Sequence, residues 1–307
     1  MVKNIVFFNQ YHNGDCFVGK GWIRNIMRQL PDLNFSYAHA NHADIIKDLG
    51  CRHIPLSELP QIDRMVRIAQ DDDGTLFINT WCGAFQGELF GYHQHSNYII
   101  QHRMYEMYCE QLSSILGRPV TQSNNPHDYL PFIDFSYYDT KMVDDVVVGK
   151  FQSAPLVLFC NGPANSGQSA VGDFKYSIDY LAREFKDHVF VATHDVGIKL
   201  PNVFYTTHEF YKKSDLNEIA YLSKRAKLIV GKNSGPFSYC CFDENMQIDH
   251  TFFCFGKLLT DCLNAGLEFP AQFKFCDQTN DRLITNILVR ELNGQSVGRT
   301  GMQHIMV

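Results

Sequence analysis

The chain has 307 residues, enough for two domains of ordinary size, and 45% hydrophobic with 20% charged residues is the composition of a folded, core-bearing protein. A formal charge of −6 excludes a global basic field that would gather nucleic acid, and no apolar run approaches the roughly 20 residues that span a bilayer. Ten cysteines without CxxC spacing argue against a disulfide framework or a zinc site and for reduced thiols, so a cytoplasmic protein is expected, with at most peripheral membrane contact.

Residues 4–8 (Asn-Ile-Val-Phe-Phe) have the pattern of a short buried strand, and Met1-Val2-Lys3 leads straight into it, leaving no room for a signal peptide. A polar, glycine-containing loop follows, then a helix pattern carrying Trp22, Ile23, Ile26, Met27 and Leu30. Residues 35–40 read as the next strand and residues 43–49 as a short helix ending at Gly50. Asp71-Asp72-Asp73 precedes Gly74 and a strand at residues 75–79, which marks a turn before a strand rather than metal ligands after one. His93-Gln94-His95 has no nearby carboxylate or cysteine to complete a metal set, and suits the acceptor side of a cleft or a solvated loop. Ser96 is placed to cap a long helix with Ile100, Met104, Tyr108, Leu112 and Ile115 at spacings of three and four.

The second half restarts in the same way. Residues 155–160 read as a strand entering a loop rich in Asn and Gly, followed by a helix with Phe174, Ile178, Leu181 and Phe185 on one face. Strands follow at residues 189–193 and 203–205. Asp215-Leu216-Asn217-Glu218 has the form of a capping box and opens a helix, and residues 227–231 form another strand ending on a Gly-containing turn. Strands alternating with helices predict a parallel, helix-covered sheet, here twice: an α/β protein of two doubly wound, Rossmann-like domains facing across a cleft. The seam is expected near residues 149–154, giving an N-terminal domain over 1–150 and a C-terminal domain over 151–307.

Three loops carry candidate chemistry. His12-Asn13-Gly14-Asp15 follows the first strand, where a parallel sheet puts ligand-facing loops; Asp15 either accepts a proton from an attacking hydroxyl or caps the next helix. Gly231-Lys232-Asn233-Ser234-Gly235-Pro236-Phe237-Ser238 follows a strand; a helix starting near Pro236 would make an anion site approachable by a diphosphate, or the segment is a structural turn. It is not a P-loop, since GxxxxGK[ST] is absent. Asn161-Gly162-Pro163-Ala164-Asn165-Ser166-Gly167 offers amides and hydroxyls without bulk, for phosphate or sugar oxygens or as an ordinary surface loop. Thr193-His194 ends a strand and His208-Glu209 lies in the next loop, where either pair could touch a nucleoside, and His194 fits a surface cap at least as well.

Together, residues 215–222 and 226–236 resemble the donor-binding segment of the lipopolysaccharide heptosyltransferase family, in which a capped helix precedes a strand ending in a Val-Gly-x-Asp-Ser/Thr-Gly turn. That family also carries a Gly-Asp pair just after its first strand, matched by Gly14-Asp15. The resemblance implies an inverting GT-B glycosyltransferase that takes a nucleotide-linked sugar as substrate, needs no metal or cofactor, and glycosylates a glycan or glycolipid acceptor. It also implies Asp15 as general base and Asn233, Ser234 and Gly235 on the donor diphosphate, with residues 161–166 opposite. Three positions depart from the family: Asn233 replaces Asp, Ser238 stands nearest the place of a His, and the first donor loop lacks its basic residue, for which Lys175 is the available substitute. Asn13-Gly14-Asp15 also fits the polysaccharide pyruvyltransferases, and a non-catalytic nucleotide-sugar-binding module on the same scaffold is a further alternative.

Overall fold

Residues 5–8 are apolar on both faces because the strand they form, β1 (Asn4–Asn9), is the middle of a sheet covered on both sides. In the computed structural model, residues 2–11, 13–40, 43–61, 63, 65–85, 97–163, 169–210, 216–232, 234–256, 269–295 and 303–304 are described. The chain divides into two compact units, residues 1–137 and 138–307.

In the first unit β1 is followed by α1 (Asn13–Gln29), β2 (Asn34–His39), β3 (Arg52–Pro55), β4 (Ile68–Gln70), β5 (Leu76–Asn79) and α2 (Asn97–Leu116). The sheet order is β3-β2-β1-β5-β4, parallel except for β4 against β5. Helix α1 buries Trp22, Ile23 and Ile26; Trp22 stacks on Tyr108 of α2 at 5.5 Å between ring centroids and donates its indole N–H to Gln101 Oε1 at 2.8 Å. Ile115 of α2 is exposed instead of lying on the apolar side, since the buried stripe of Met104, Tyr108 and Leu112 ends one turn before the helix does. The segment expected as a short helix at 43–49 is two 3-10 turns, Ala43–Ile45 and Lys47–Leu49. The second of them is held by Asp48, whose carboxylate meets the fully buried Lys20 ammonium at 2.6 Å and accepts the Asp134 N–H at 3.0 Å. Asp71 makes the β4–β5 hairpin turn, accepting the Thr75 N–H at 2.7 Å on its side chain, with Gly74 at φ +82°.

The second unit contains α3 (Lys141–Val146), β6 (Leu156–Cys160), α4 (Lys175–Glu184), β7 (Val189–Ala192), β8 (Val203–Tyr205), α5 (Thr206–Glu209), α6 (Leu216–Ser223), β9 (Ala226–Lys232), α7 (Gly235–Cys240), α8 (Asp243–Met246), β10 (Thr251–Phe255), β11 (Gln272–Cys276), α9 (Asp281–Leu292) and β12 (Gln303–His304). All seven strands are parallel, in the order β12-β11-β10-β9-β6-β7-β8. Counted from β6 this is the doubly wound order, with connections reversing direction between β6 and β9. One core joins Val157 and Phe159 of β6 to Phe174, Ile178 and Leu181 around α4 and to Ile284 and Leu288 of α9.

The division between units falls after Tyr137 and not at 149–154. The expected seam begins inside regular structure: Val146 is buried, Val148 is exposed, and the chain continues as a π-helical turn, Val147–Phe151. Tyr221 of α6 donates to the Asp144 carboxylate, and Phe151 packs on Phe204 at 5.0 Å, so the segment belongs to the second unit's core.

Candidate active site

In the first unit the switch in strand order lies at β1, between β2 and β5, so the loops after β1 and β5 meet at the carboxyl edge of the sheet. Tyr37 and Thr80 share a 2.6 Å hydrogen bond there, and Thr80 donates to the Phe8 carbonyl, tying the ends of β2, β5 and β1 together. Asp15 stands at this edge as the third residue of α1, inside the helix and not at its cap. It is 9% exposed, and the Cys82 thiol, a weak donor, lies 3.9 Å from its Oδ1. Burial pushes its pKa from 3.8 up to about 7, with the Cys82 bond opposing only weakly. A carboxylate in that state is poised for general-base work at neutral pH. Asn13 and Gly14 form the start of the same helix; His12 lies outside the described residues, as do His93 to Ser96.

In the second unit the corresponding edge lies between β6 and β9. Asn161 is its internal strut. Its side-chain amide donates to the carbonyls of His194 and Asp173, and its oxygen accepts the His194 N–H at 2.8 Å and the Thr193 hydroxyl at 3.3 Å. Thr193 in turn accepts the N–H groups of Asn161 and Gly162. The structure thus brings Asn161, Gly162, Thr193 and His194 together, but the Asn161 side chain is committed to the protein. Glu209 pairs with Lys150 beyond the end of β8, two strands from the switch and so about 10 Å away by strand spacing. Asn165, Ser166 and Asn233 lie outside the described residues, as does Asp215 of the expected capping box.

A doubly wound unit usually offers the N-terminus of its first helix to a phosphate. Here that place is taken by protein carboxylates. Asp281 of α9 accepts the N–H groups of Tyr176 at 2.8 Å and Ser177 at 3.2 Å, and Asp173 accepts that of Lys175. The turn after β9 is built differently. Gly231 admits the Phe237 ring, which a Cβ would meet at 2.2 Å, and this seats α7 against the strand end. Ser234 is extended (φ −150°), and its hydroxyl is buried with no hydrogen-bond partner among the described residues. Among the described residues, a Cβ on Gly235 would meet nothing within 4 Å, which leaves room beside the backbone there. Ser238 is half-buried in α7, its N–H bonded to the Ser234 carbonyl.

Sequence reasoning sought a basic residue in the loop after β6 and passed over Lys232. This lysine ends β9 nearly buried, its ammonium donating to the carbonyls of Gly172 at 2.9 Å and Val171 at 3.2 Å. Burial lowers its pKa, and nearby Asp173 raises it. The signal was present: a lysine closing an otherwise apolar strand has a reason to be there.

No family model matches the chain, and no curated protein matches it in sequence. Solved structures do match in fold. The E. coli heptosyltransferase WaaC, solved with ADP-2-deoxy-2-fluoro heptose, superposes with a TM-score of 0.56 at 11% identity, over 95% of this chain and 100% of that one. In fold, this chain is similar to the heptosyltransferases. The glycosyl transferase family 9 protein from Veillonella parvula gives a TM-score of 0.53 at 12% identity, over 95% of this chain and 91% of its own. E. coli ADP-heptose lps heptosyltransferase II gives 0.50 at 12% identity, over 89% and 90%. The expected likeness to this group is therefore found across nearly the whole chain. Among the described residues, no helix is long and apolar enough to cross a membrane.

Proposed function

We propose that the chain is a glycosyltransferase of the GT-B arrangement, moving a sugar from a nucleoside-diphosphate donor to an acceptor hydroxyl with inversion and without a metal ion. The observation that carries this reading is Asp15, a buried carboxylate with a pKa near 7 at the switch point of the first sheet. The acceptor oxygen attacks the anomeric carbon, the bond from that carbon to the diphosphate oxygen breaks, and the acceptor's proton passes to Asp15. The second unit holds the donor: Ser234 and Gly235 present an open, polar turn to the diphosphate, and Lys232 supplies a cation against the charge that develops on the leaving group. Support for a nucleotide donor comes from WaaC, whose solved complex contains an ADP-sugar analogue on the same fold. On this reading the protein works in the cytoplasm on a glycan or glycolipid.

Two tests bear on the donor half. Gly235→Val places its Cβ where no described residue lies within 4 Å, and is expected to weaken nucleoside-diphosphate binding at least ~10-fold, about 1.4 kcal/mol, by calorimetry on the folded protein. Unchanged affinity would place the donor elsewhere. Turnover is expected to survive EDTA, because Lys232 and the turn's polar groups take the part a metal plays elsewhere. Loss of turnover on chelation, restored by magnesium or manganese, would make the reaction metal-dependent.

A further inference from the structure

A carboxylate in the first turn of a helix is ordinarily drawn to the free N–H groups of that turn. Asp15 is the third residue of α1, yet among the described residues its side chain has one hydrogen-bond partner, the Cys82 thiol, 3.9 Å from Oδ1. The turn that carries Cys82 is anchored on both sides of it. Asn79, fully buried at the end of β5, accepts the Trp81 N–H on its side-chain oxygen at 3.0 Å, and its carbonyl accepts the Tyr108 hydroxyl of α2. Thr80 donates its N–H and its hydroxyl to the Phe8 carbonyl of β1, at 2.8 and 3.1 Å, and bonds Tyr37 of β2. Beyond Cys82, Gly83 lies so close to the Trp81 ring that a Cβ there would meet it at 2.1 Å. Three strands and a helix therefore fix the short turn that presents this thiol to Asp15.

The titratable groups facing Asp15 are Cys82, Cys16 and Tyr37. Burial pushes all three upward, so each stays protonated and neutral around pH 7. Cys82 can then only donate, and sulfur donates weakly. A hydroxyl or amide in its place would bond the ionised carboxylate strongly, hold it in that form and make it a poorer base. We propose that Cys82 is a positioning residue for proton transfer, its thiol fixing the Asp15 carboxylate at the sheet edge with a contact too weak to cost it its basicity. The inference rests on the reading of Asp15 as general base, but the titration of Asp15 can be followed without turnover.

The test is carbon-13 NMR of the full chain labelled at its aspartate carboxyls, with the Asp15 signal assigned by its loss in Asp15→Asn. Cys82→Ser puts a stronger donor at the same place, which the carboxylate meets by rotating about its side-chain bonds. It is expected to lower the Asp15 midpoint by about one pH unit, and the rising limb of kcat/KM should move down with it. Cys82→Ala removes the contact, and is expected to lower kcat ~10-fold with KM unchanged, because the carboxylate is no longer held in line. An Asp15 midpoint in Cys82→Ser equal to that of the wild type, or wild-type kcat in Cys82→Ala, would overturn the positioning role. If either occurs while Asp15→Asn still loses turnover, Cys82 alone is removed from the mechanism. Wild-type turnover in Asp15→Asn would instead overturn the general-base reading, and the role of Cys82 with it.

Discussion

Asp15→Asn is expected to lower turnover by ~10²–10⁴, the usual loss when a general base is removed, with nucleoside-diphosphate affinity barely changed because the donor is assigned to the other unit. The substitution keeps the shape of the side chain and removes its proton acceptor. The wild-type pH profile carries the same assignment: a base must be ionised to act, and Asp15 is held near 7, so kcat/KM should rise with pH through about 7 and level off above it. Turnover of Asp15→Asn close to wild type, or a profile flat between pH 5 and 8, would remove Asp15 from the chemistry and make His12 the next residue to test.

The same substitution is expected to stabilise the protein, and the effect should grow with pH. Burial raises the Asp15 pKa from 3.8 to about 7, so between these values the folded state binds a proton that the unfolded state has released. Stability therefore falls as pH rises through that window, by an amount on the order of 4 kcal/mol at most once pH exceeds 7. Asn carries no such cost. Thermal unfolding of the two proteins should nearly coincide at pH 4 and diverge by several degrees at pH 8, with Asp15→Asn the higher, at roughly 2–4 °C per kcal/mol. A residue serving only as a helix cap would behave oppositely, since a carboxylate accepting helix N–H groups has a lowered pKa and its replacement does not stabilise. Equal melting temperatures at pH 8 would mean that the Asp15 carboxylate is better solvated than its burial indicates.

Much of the architecture was legible because buried parallel strands write themselves as apolar runs. Residues 4–8 and 227–231 fall on strands, the stretches 35–40, 75–79 and 155–160 each overrun theirs by one residue, and the switch loops follow from their order. Short edge strands escaped. Arg52-His53-Ile54-Pro55 and Ile68-Ala69-Gln70 have no periodicity to read and become strands by pairing with β2 and β5. The Phe-rich β10 and β11 were readable by pattern but went unassigned; they place α9, whose Asp281 then occupies the N-terminus of α4. That long-range plug, 104 residues from Ser177, is invisible in the local sequence around the loop after β6. Asp15 was legible by position, but its raised pKa comes from tertiary burial, and the Cys82 thiol beside it is 67 residues away. Lys232 shares that obstacle: it acquires meaning only from the Val171 and Gly172 carbonyls that the fold brings beside it.

The second unit is assigned a nucleoside-diphosphate sugar, and a thermal-shift screen of ADP, UDP, GDP, CDP and their sugars tests that assignment most directly. Phosphoenolpyruvate belongs in the same screen, because Asn13-Gly14-Asp15 also fits the pyruvyltransferases. A ligand at 100 times its dissociation constant stabilises the folded state by about 2.7 kcal/mol, well within detection. The expected result is stabilisation by one nucleoside diphosphate and its sugars, lost in Gly235→Val. Stabilisation by phosphoenolpyruvate with no response to any nucleotide would contradict it.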